Sequence, residues 1–416
     1  MQVRIHRGTR EIGGTCVELE HDGARLLLDL GLPLDGDPDD TSRHPAIEDL
    51  AGGGDLLALV LSHGHRDHVG LSHLAGPDLP VALGAATLRI LQAAATFVPD
   101  SHVPANTVTF TEGRTLGFGP FTVTPILVDH SAYDAYTLLV EAGGQRLLYS
   151  GDLRAHGRKG ALFERLVREP PRGIDVLLLE GSSLGRLDAE RTFPSEDDIE
   201  ARFAALFAET AGLALVAASA QNIDRVVSLY RACKRTGRTL VLDLYAAEIL
   251  AATGNPRIPQ SDWPGVAVFV PQHQRVRIKR TGRFDLIARH GRNRIHAEHL
   301  GDLAPRAALL FRHSLLPDLD RAACLAGARA IWSQWEGYLR QPRGQALAAD
   351  LAARAIPLAH AHTSGHASIP DLKRLASAIA PRRLVPIHTF APQGFPALFG
   401  TCVDIREDGQ WWSTAA

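Results

Sequence analysis

The sequence predicts an α/β protein of about two domains, and three observations carry that expectation. Its first part is a succession of short apolar or alternating runs cut by Gly, Asp and Pro, the pattern of strands and turns. From about residue 190 the pattern becomes strand, amphipathic helix, strand, which implies a parallel sheet covered by helices. The length, 416 residues, exceeds what one hydrophobic core usually holds.

Composition narrows the class further. With 45% hydrophobic and 22% charged residues, wholesale disorder is excluded. The formal net charge is −2, so a polyanionic partner must be met by a local basic patch and not by the field of the whole protein. Cys16, Cys233, Cys324 and Cys402 are far apart, with no CxxC pair and no dense disulfide framework; they predict a reduced, cytoplasmic protein. The start, MQVRIHRGTREIGG, lacks an apolar signal core, and no later run of about eighteen apolar residues predicts a membrane span.

Taken in order, VRIHR, TCVELE, ARLLLDLG and LLALVLS read as the opening strands, followed by PVALG, VTF, FTVTPILVDH, YTLLVEAG, QRLLYSGD and DVLLLEGS. Several end on polar residues: Asp29, Ser62, Asp129 with His130, Asp152 and Glu180. Any one of these alone reads as a surface turn. Their recurrence argues for a site, because strand ends are rigid mounts for side chains aimed at one point. Next, FPSEDDIEARFAALFAET opens a helix: Ser195 is its N-cap, Glu196, Asp197 and Asp198 fill its first turn, and Ile199, Phe203, Leu206 and Phe207 recur at helical spacing. The alternation continues through LALVAAS, NIDRVVSLYRACKRTG and TLVLDL, with AALLFRHS and ARAIWSQ as later strands. Histidine-bearing segments return with IPLAHAHTSGH, the helix PDLKRLASAIA, and RRLVPIHTF. The predicted division is therefore a first domain over 1–190, an inserted α/β domain over 191–355, and a segment completing the first domain over 356–416.

The stretch LSHGHRDHVG carries the chemistry. A lone histidine in a chain with 19 of them is more often a surface or hydrogen-bonded residue, so the clustering is what distinguishes these. His63 and His65, two apart at the end of an extended run, can point the same way, whereas Asp67 and His68 follow the turn and can face a second ion. Imidazole and carboxylate suit zinc. Two ions need more ligands, and His130, Asp152 and His388 stand at other strand ends, with an aspartate able to bridge. Such a pair acidifies water and clamps both oxygens of an in-line displacement, which is hydrolase chemistry.

SHGHRDH with His130, Asp152 and the preceding Asp29 resembles the metallo-β-lactamase fold superfamily, whose fold is an αββα sandwich. Glu180 in LLLEGSS is similar to motif A of the β-CASP nucleases, His366 in HTSGHAS to motif B and His388 in PIHT to motif C. The segment from TFPSEDDIEARFAALF to RTLVL resembles the inserted β-CASP domain, and HTSGHASIPDLKRLASAIAPRRLVPIH resembles the bacterial ribonuclease J group. The chain ends soon after His388 and has Thr389-Phe390 where the family commonly has Gly-Glu. The resemblance is therefore to a short ribonuclease J-like enzyme lacking the C-terminal domain.

This resemblance implies two Zn²⁺ per chain, with Mn²⁺ compatible with the same ligands: His63, His65 and His130 on one ion, Asp67, His68 and His388 on the other, and Asp152 bridging. Asp29 would organise hydrogen bonds beneath the metal loop. His366 would be the general acid, oriented by Glu180, since a carboxylate beside an imidazole favours its proton-donating form. Metal-activated hydroxide would cut phosphodiesters, and Asp67 is counted with the catalytic residues. The motif C histidine favours single-stranded RNA over DNA, because the DNA-repair branch of the family typically has valine there.

A DNA nuclease and a small-molecule metallo-hydrolase are the alternatives, and the latter has no need of the Glu180 and His366 pair. A scaffold with a degraded centre is a further class, against which stands the presence of every predicted ligand. His362 and Ser364 in HTSGH would hold a backbone phosphate, and Ser219, Asn222 and Arg225 would face the strand, with helix capping the plain alternative for Ser219 and Asn222. The run RVRIKRTGRFDLIARHGRNR, 275–294, is a further candidate phosphate surface or simply a solvated face. A homodimer is compatible with the resemblance.

Overall fold

The computed structural model describes residues 1–37, 40–99 and 101–415. The chain forms two compact units, Met1–Phe193 with Gly365–Ala416, and Pro194–Ser364.

In the first unit, β1 (Gln2–Arg7), β2 (Cys16–His21), β3 (Ala24–Leu28), β4 (Leu56–Val60), β5 (Val81–Gly84) and β6 (Thr107–Phe110) precede β7 (Leu116–Phe118), β8 (Phe121–Val128), β9 (Ala135–Ala142), β10 (Gln145–Tyr149) and β11 (Val176–Glu180). The second unit holds β12 (Ala214–Ala217), β13 (Thr239–Asp243), β14 (Val266–Phe269), β15 (Arg294–Ile295), β16 (Ala307–Phe311), β17 (Arg329–Trp332) and β18 (Leu358–His360). The chain then re-enters the first unit with β19 (Arg383–Ile387) and β20 (Trp411–Ser413).

Two sheets, ordered β20-β1-β2-β3-β4-β5-β6 and β19-β11-β10-β9-β8-β7, make the first unit. The strand period of two sorts their side chains. Val3, Ile5, Leu26 and Leu28 from one sheet meet Val123, Leu138, Val176 and Leu178 from the other in a shared core. Leu27 and Leu59 turn outward onto a second cluster with Leu71 and Leu91. Leu177 and Leu179 turn outward onto Phe163, Leu166, Leu372 and Leu375 of the covering helices Gly160–Arg168 and Ile369–Ile379. This is the αββα sandwich of the metallo-β-lactamase fold.

Strand direction explains where the polar strand ends gather. β10, β11 and β19 are mutually parallel, and β8 runs the same way because β9 is antiparallel to both β8 and β10. The C-terminal ends of β8, β10, β11 and β19 thus open onto one edge of the sheet. In the other sheet β3 and β4 are parallel, so their C-terminal ends also share an edge.

The second unit is a parallel sheet, β15-β14-β13-β16-β12-β17-β18. Ser195 caps the helix Glu196–Ala208 through a capping box with Asp198. One boundary differs from the sequence reading. The LAH run was expected to belong to the returning segment from 356, but it pairs with β17, Ile331 opposite Ala359, as the edge of this parallel sheet. The return therefore begins at Gly365. Among the described residues no helix is long and apolar enough to cross a membrane.

Candidate metal centre

β4 is buried between β3 and β5, and the register continues past it: the Leu61 amide donates to the Ala82 carbonyl at 2.8 Å. His63 is therefore mounted on a fixed strand end. The chain then winds into the turn Arg66–Val69, which carries Asp67 and His68. A neighbouring loop locks this turn, with Leu30 N donating to His68 O and Leu32 N to Arg66 O, both at 2.9 Å. Gly31 makes that approach feasible, since a Cβ there would collide with the Asp67 carbonyl oxygen. His130 follows β8, Asp152 follows β10, Glu180 ends β11 and His388 follows β19.

The structure gathers these side chains into two groups, His63, His65 and His130 in one and Asp67, His68, Asp152 and His388 in the other. Asp152 lies between them. Its Oδ2 is 3.2 Å from His68 Nε2 and 3.8 Å from the Nε2 atoms of His63, His130 and His388. Ligand atoms sharing one zinc, each about 2 Å from it, are roughly 3–3.5 Å apart. A carboxylate at these distances from nitrogens of both groups could serve either group. His130 Nε2 and His65 Nδ1 are 3.1 Å apart, so His65 turns Nδ1 inward.

The fit to metal is read from buried polar atoms. Nε2 of His63, His68 and His388 and both carboxylate oxygens of Asp152 are buried and make no hydrogen bond among the described residues. Each such group costs about 1–3 kcal/mol. Five of them would consume a large share of the roughly 5–15 kcal/mol that holds a domain together, and divalent cations would satisfy all five at once.

The opposite edge of four of these rings is anchored, as is usual for metal-ligating histidines. His68 Nδ1 donates to Asp29 Oδ2 at 2.7 Å, and His130 Nδ1 to the Gly365 carbonyl at 2.5 Å. Because those partners only accept, both rings carry a proton on Nδ1 and turn Nε2 inward. His63 Nδ1 meets Ser62 Oγ at 3.0 Å, and His388 Nδ1 meets Thr15 Oγ1 at 2.8 Å. Asp29 serves both groups: its carboxylate accepts from Ser62 N, Ser62 Oγ, His68 Nδ1 and Tyr149 Oη at 2.6–2.7 Å. Thr15 and Tyr149 escaped the sequence reading. The only signal for Tyr149 was its place in YSGD, three residues before Asp152.

Burial, reinforced by neighbouring imidazoles, holds His63 and His130 well below the usual imidazole range. Burial also lowers His65 and His388. These rings stay neutral, as metal ligands must. His68 differs: burial opposes its charge, but Asp152 and Asp29 carry it well above the usual value. Burial alone would raise Asp152, yet His388, His68 and His366 hold it well below the carboxylate range.

Beside these groups stands His366, whose Nδ1 is 3.1 Å from Glu180 Oε2 and 3.7 Å from Asp152 Oδ2. Burial disfavours its cation, but Glu180 and then Asp152 push it up to about 9. Glu180 is itself fixed by the amides of Leu153 and Ser182, each at 3.2 Å. His366 also forms a third ligand-like group with His130 and Asp152.

The residues predicted to contact nucleic acid lie in the other unit. Ser219 is exposed, with its Oγ accepting from Gln221 N, while Asn222 caps the helix Ile223–Thr236 by accepting from Arg225 N at 3.1 Å. Arg225 requires a correction. It is 0% exposed, its guanidinium donating to Glu196 Oε1 at 3.0 Å, Ser333 O at 2.9 Å and Thr363 O at 3.3 Å. A buried guanidinium so engaged is a structural tie and is not offered to a phosphate. His362 packs 3.4 Å from Arg225, half-buried, as is Ser364.

Comparisons with known proteins agree with this architecture. The Beta-lactamase superfamily domain matches residues 25–201. Ribonuclease J of Mycobacterium tuberculosis is 27% identical over 93% of this chain and 68% of its own length. Ribonuclease J of Mycolicibacterium smegmatis is 24% identical over the same shares. A crystallised Enterococcus faecalis protein of unknown function has the same fold, with a TM-score of 0.79 over 99% of both chains at 21% identity.

Proposed function

Starting from a chain that has the metallo-β-lactamase fold and is ribonuclease J-like over 93% of its length, we propose that it is a metal-dependent phosphodiesterase that cuts single-stranded RNA. The observation that carries this reading is the Glu180–His366 pair, 3.1 Å apart, set against the two ligand groups. His63, His65 and His130 would hold one ion and Asp67, His68 and His388 the other, with Asp152 shared. The predominance of imidazole favours zinc, and manganese fits the same set. When bound, the ions supply an acidified water and neutralise charge developing on the phosphate oxygens.

The chain's own residues do the rest. Asp29, Ser62 and Thr15 hold the ligand rings so that their inner nitrogens converge. Glu180 favours the protonated form of His366, so that the ring can pass its proton to the departing oxygen. A thiolate leaves without a proton, so thioester hydrolysis makes no demand on such a donor, whereas a nucleoside alkoxide is a poor leaving group until protonated. Ser364 and His362 remain candidates for a backbone phosphate.

Matched end-labelled RNA and DNA strands, offered to the zinc-loaded protein beside a simple phosphodiester and a lactam, test the reading. RNA cleavage that fails in His366→Ala is the expected result. Cleavage of DNA alone would move the assignment to a DNA nuclease. Lactam turnover that survives His366→Ala would make the protein a small-molecule hydrolase.

A further inference from the structure

The basic run 275–294 is not used by the metal centre, and its placement in the second unit is informative. Eight Lys or Arg against Asp285 give these 20 residues a formal charge of +7, so the rest of a chain whose total is −2 sums to −9. The helix Gln272–Thr281 is fastened by Gln274 and Ile278, which are buried. Arg275, Lys279 and Arg280 are exposed, and Val276 is 55% exposed. Gly282, in the left-handed conformation, ends this helix and leads to the helix Phe284–Arg289, where Phe284 is 60% exposed.

Several cations here are paired within the unit. Arg283 meets Asp285 at 2.9 Å, Arg289 meets Glu248 at 2.6 Å, and Arg275 is 3.9 Å from Asp318. Lys279 and Arg280 make no ion pair among the described residues and stand in water with an exposed aromatic close by in the chain. Cations concentrated on one short segment of a chain whose net charge is only −2 suit a polyanionic partner.

We propose that the segment 275–294 is a second RNA-holding surface, separate in the chain from the ligand set, with Lys279 and Arg280 on backbone phosphates and Phe284 under a base. The proposal rests on the reading of the protein as an RNA nuclease and names where the length of the strand is held. Unpaired cations beside an exposed ring are the means by which proteins hold single strands without reading sequence. An acidic lipid surface is the lesser fit. A surface helix that enters a bilayer needs an apolar stripe, and here Ile278 is spent inside while Val276 stands alone on the outer face.

The experiment compares the wild-type chain with a Lys279→Glu/Arg280→Glu double variant and with Phe284→Ala. Readouts are the affinity for a long fluorescent single-stranded RNA across a salt series, the affinity for phosphatidylserine vesicles, and the rate of dinucleotide hydrolysis. The double variant is expected to lose about tenfold or more in long-RNA affinity and to flatten the salt slope by about 1.4, near 0.7 per phosphate contact. Phe284→Ala is expected to lose affinity with its slope unchanged, and all three proteins are expected to cut the dinucleotide equally. Long-RNA binding equal to wild type in the double variant overturns the proposal, as does vesicle binding that disappears while RNA binding stays. Wild-type protein that binds long RNA through this surface but leaves the dinucleotide intact would refute the nuclease reading and leave this one standing.

Discussion

Asp152 shows how a single residue ties the site together: one carboxylate oxygen stands within 3.8 Å of imidazole nitrogens from both ligand groups. Asp29 does the equivalent work from behind, holding His68 directly and His63 through Ser62. Replacing an outer partner of this kind usually costs about 10–100-fold in metal affinity, so Asp29→Asn should weaken both ions by such a factor in competition with a chromogenic chelator. Unchanged affinity would show that the network beneath the ligands is dispensable. His366 yields a prediction in pH. Its pKa is raised from 6.5 to about 9 by its carboxylate neighbours against the effect of burial. Its contribution to stability is therefore fully present below 6.5 and disappears as pH rises through about 9. As a proton donor it should produce an alkaline limb in the rate profile at or below that pH, because bound cations pull it down. Glu180→Gln should shift the limb lower still, and a limb that stays in place would remove Glu180 from the role proposed for it.

At the scale of elements, the site depends on loops that pass very close to one another. Gly31→Ala would drive a methyl group into the Asp67 carbonyl and displace the turn that carries Asp67 and His68. Overpacking of this sort typically costs about 1–3 kcal/mol. A lower melting temperature together with loss of bound metal is the expected result, and a variant that keeps both would contradict the packing described. Arg225→Ala should be more severe, about 3–5 kcal/mol, because it removes the buried cation that faces Glu196; a thermal melt would reveal this before any RNA assay. Arg225 also marks the limit of what the sequence could reveal. SAQNIDR shows an arginine just after a helix cap, but nothing in those letters shows that its charge is buried against a glutamate 29 residues earlier. The strand ends were legible because period-two apolar runs that stop on His, Asp or Glu are a local signal. Tyr149 and Thr15 were not, since each acts only through a contact made by folding. The LAH run misled for a related reason: its strand character is local, whereas the choice between two sheets is not.

The whole molecule encloses a polar cluster that folding alone leaves unsatisfied, and bound cations would complete it. Anything bound by the folded form and not by the unfolded chain adds stability, about 2.7 kcal/mol at a hundredfold excess over its dissociation constant. Zinc should therefore raise the melting temperature of the wild-type protein, and an Asp152→Asn variant should lose most of that rise. The shared ligand set also links stability to activity, because the residues that hold the cluster together are those that would act on RNA. The most direct test of this link is the cleavage of 5′-labelled single-stranded RNA by one preparation taken through chelation and zinc re-addition. The account predicts cleavage that stops on chelation and returns with about two ions per chain; RNA cut equally well after the ions are stripped, or left intact with both ions bound, would contradict it.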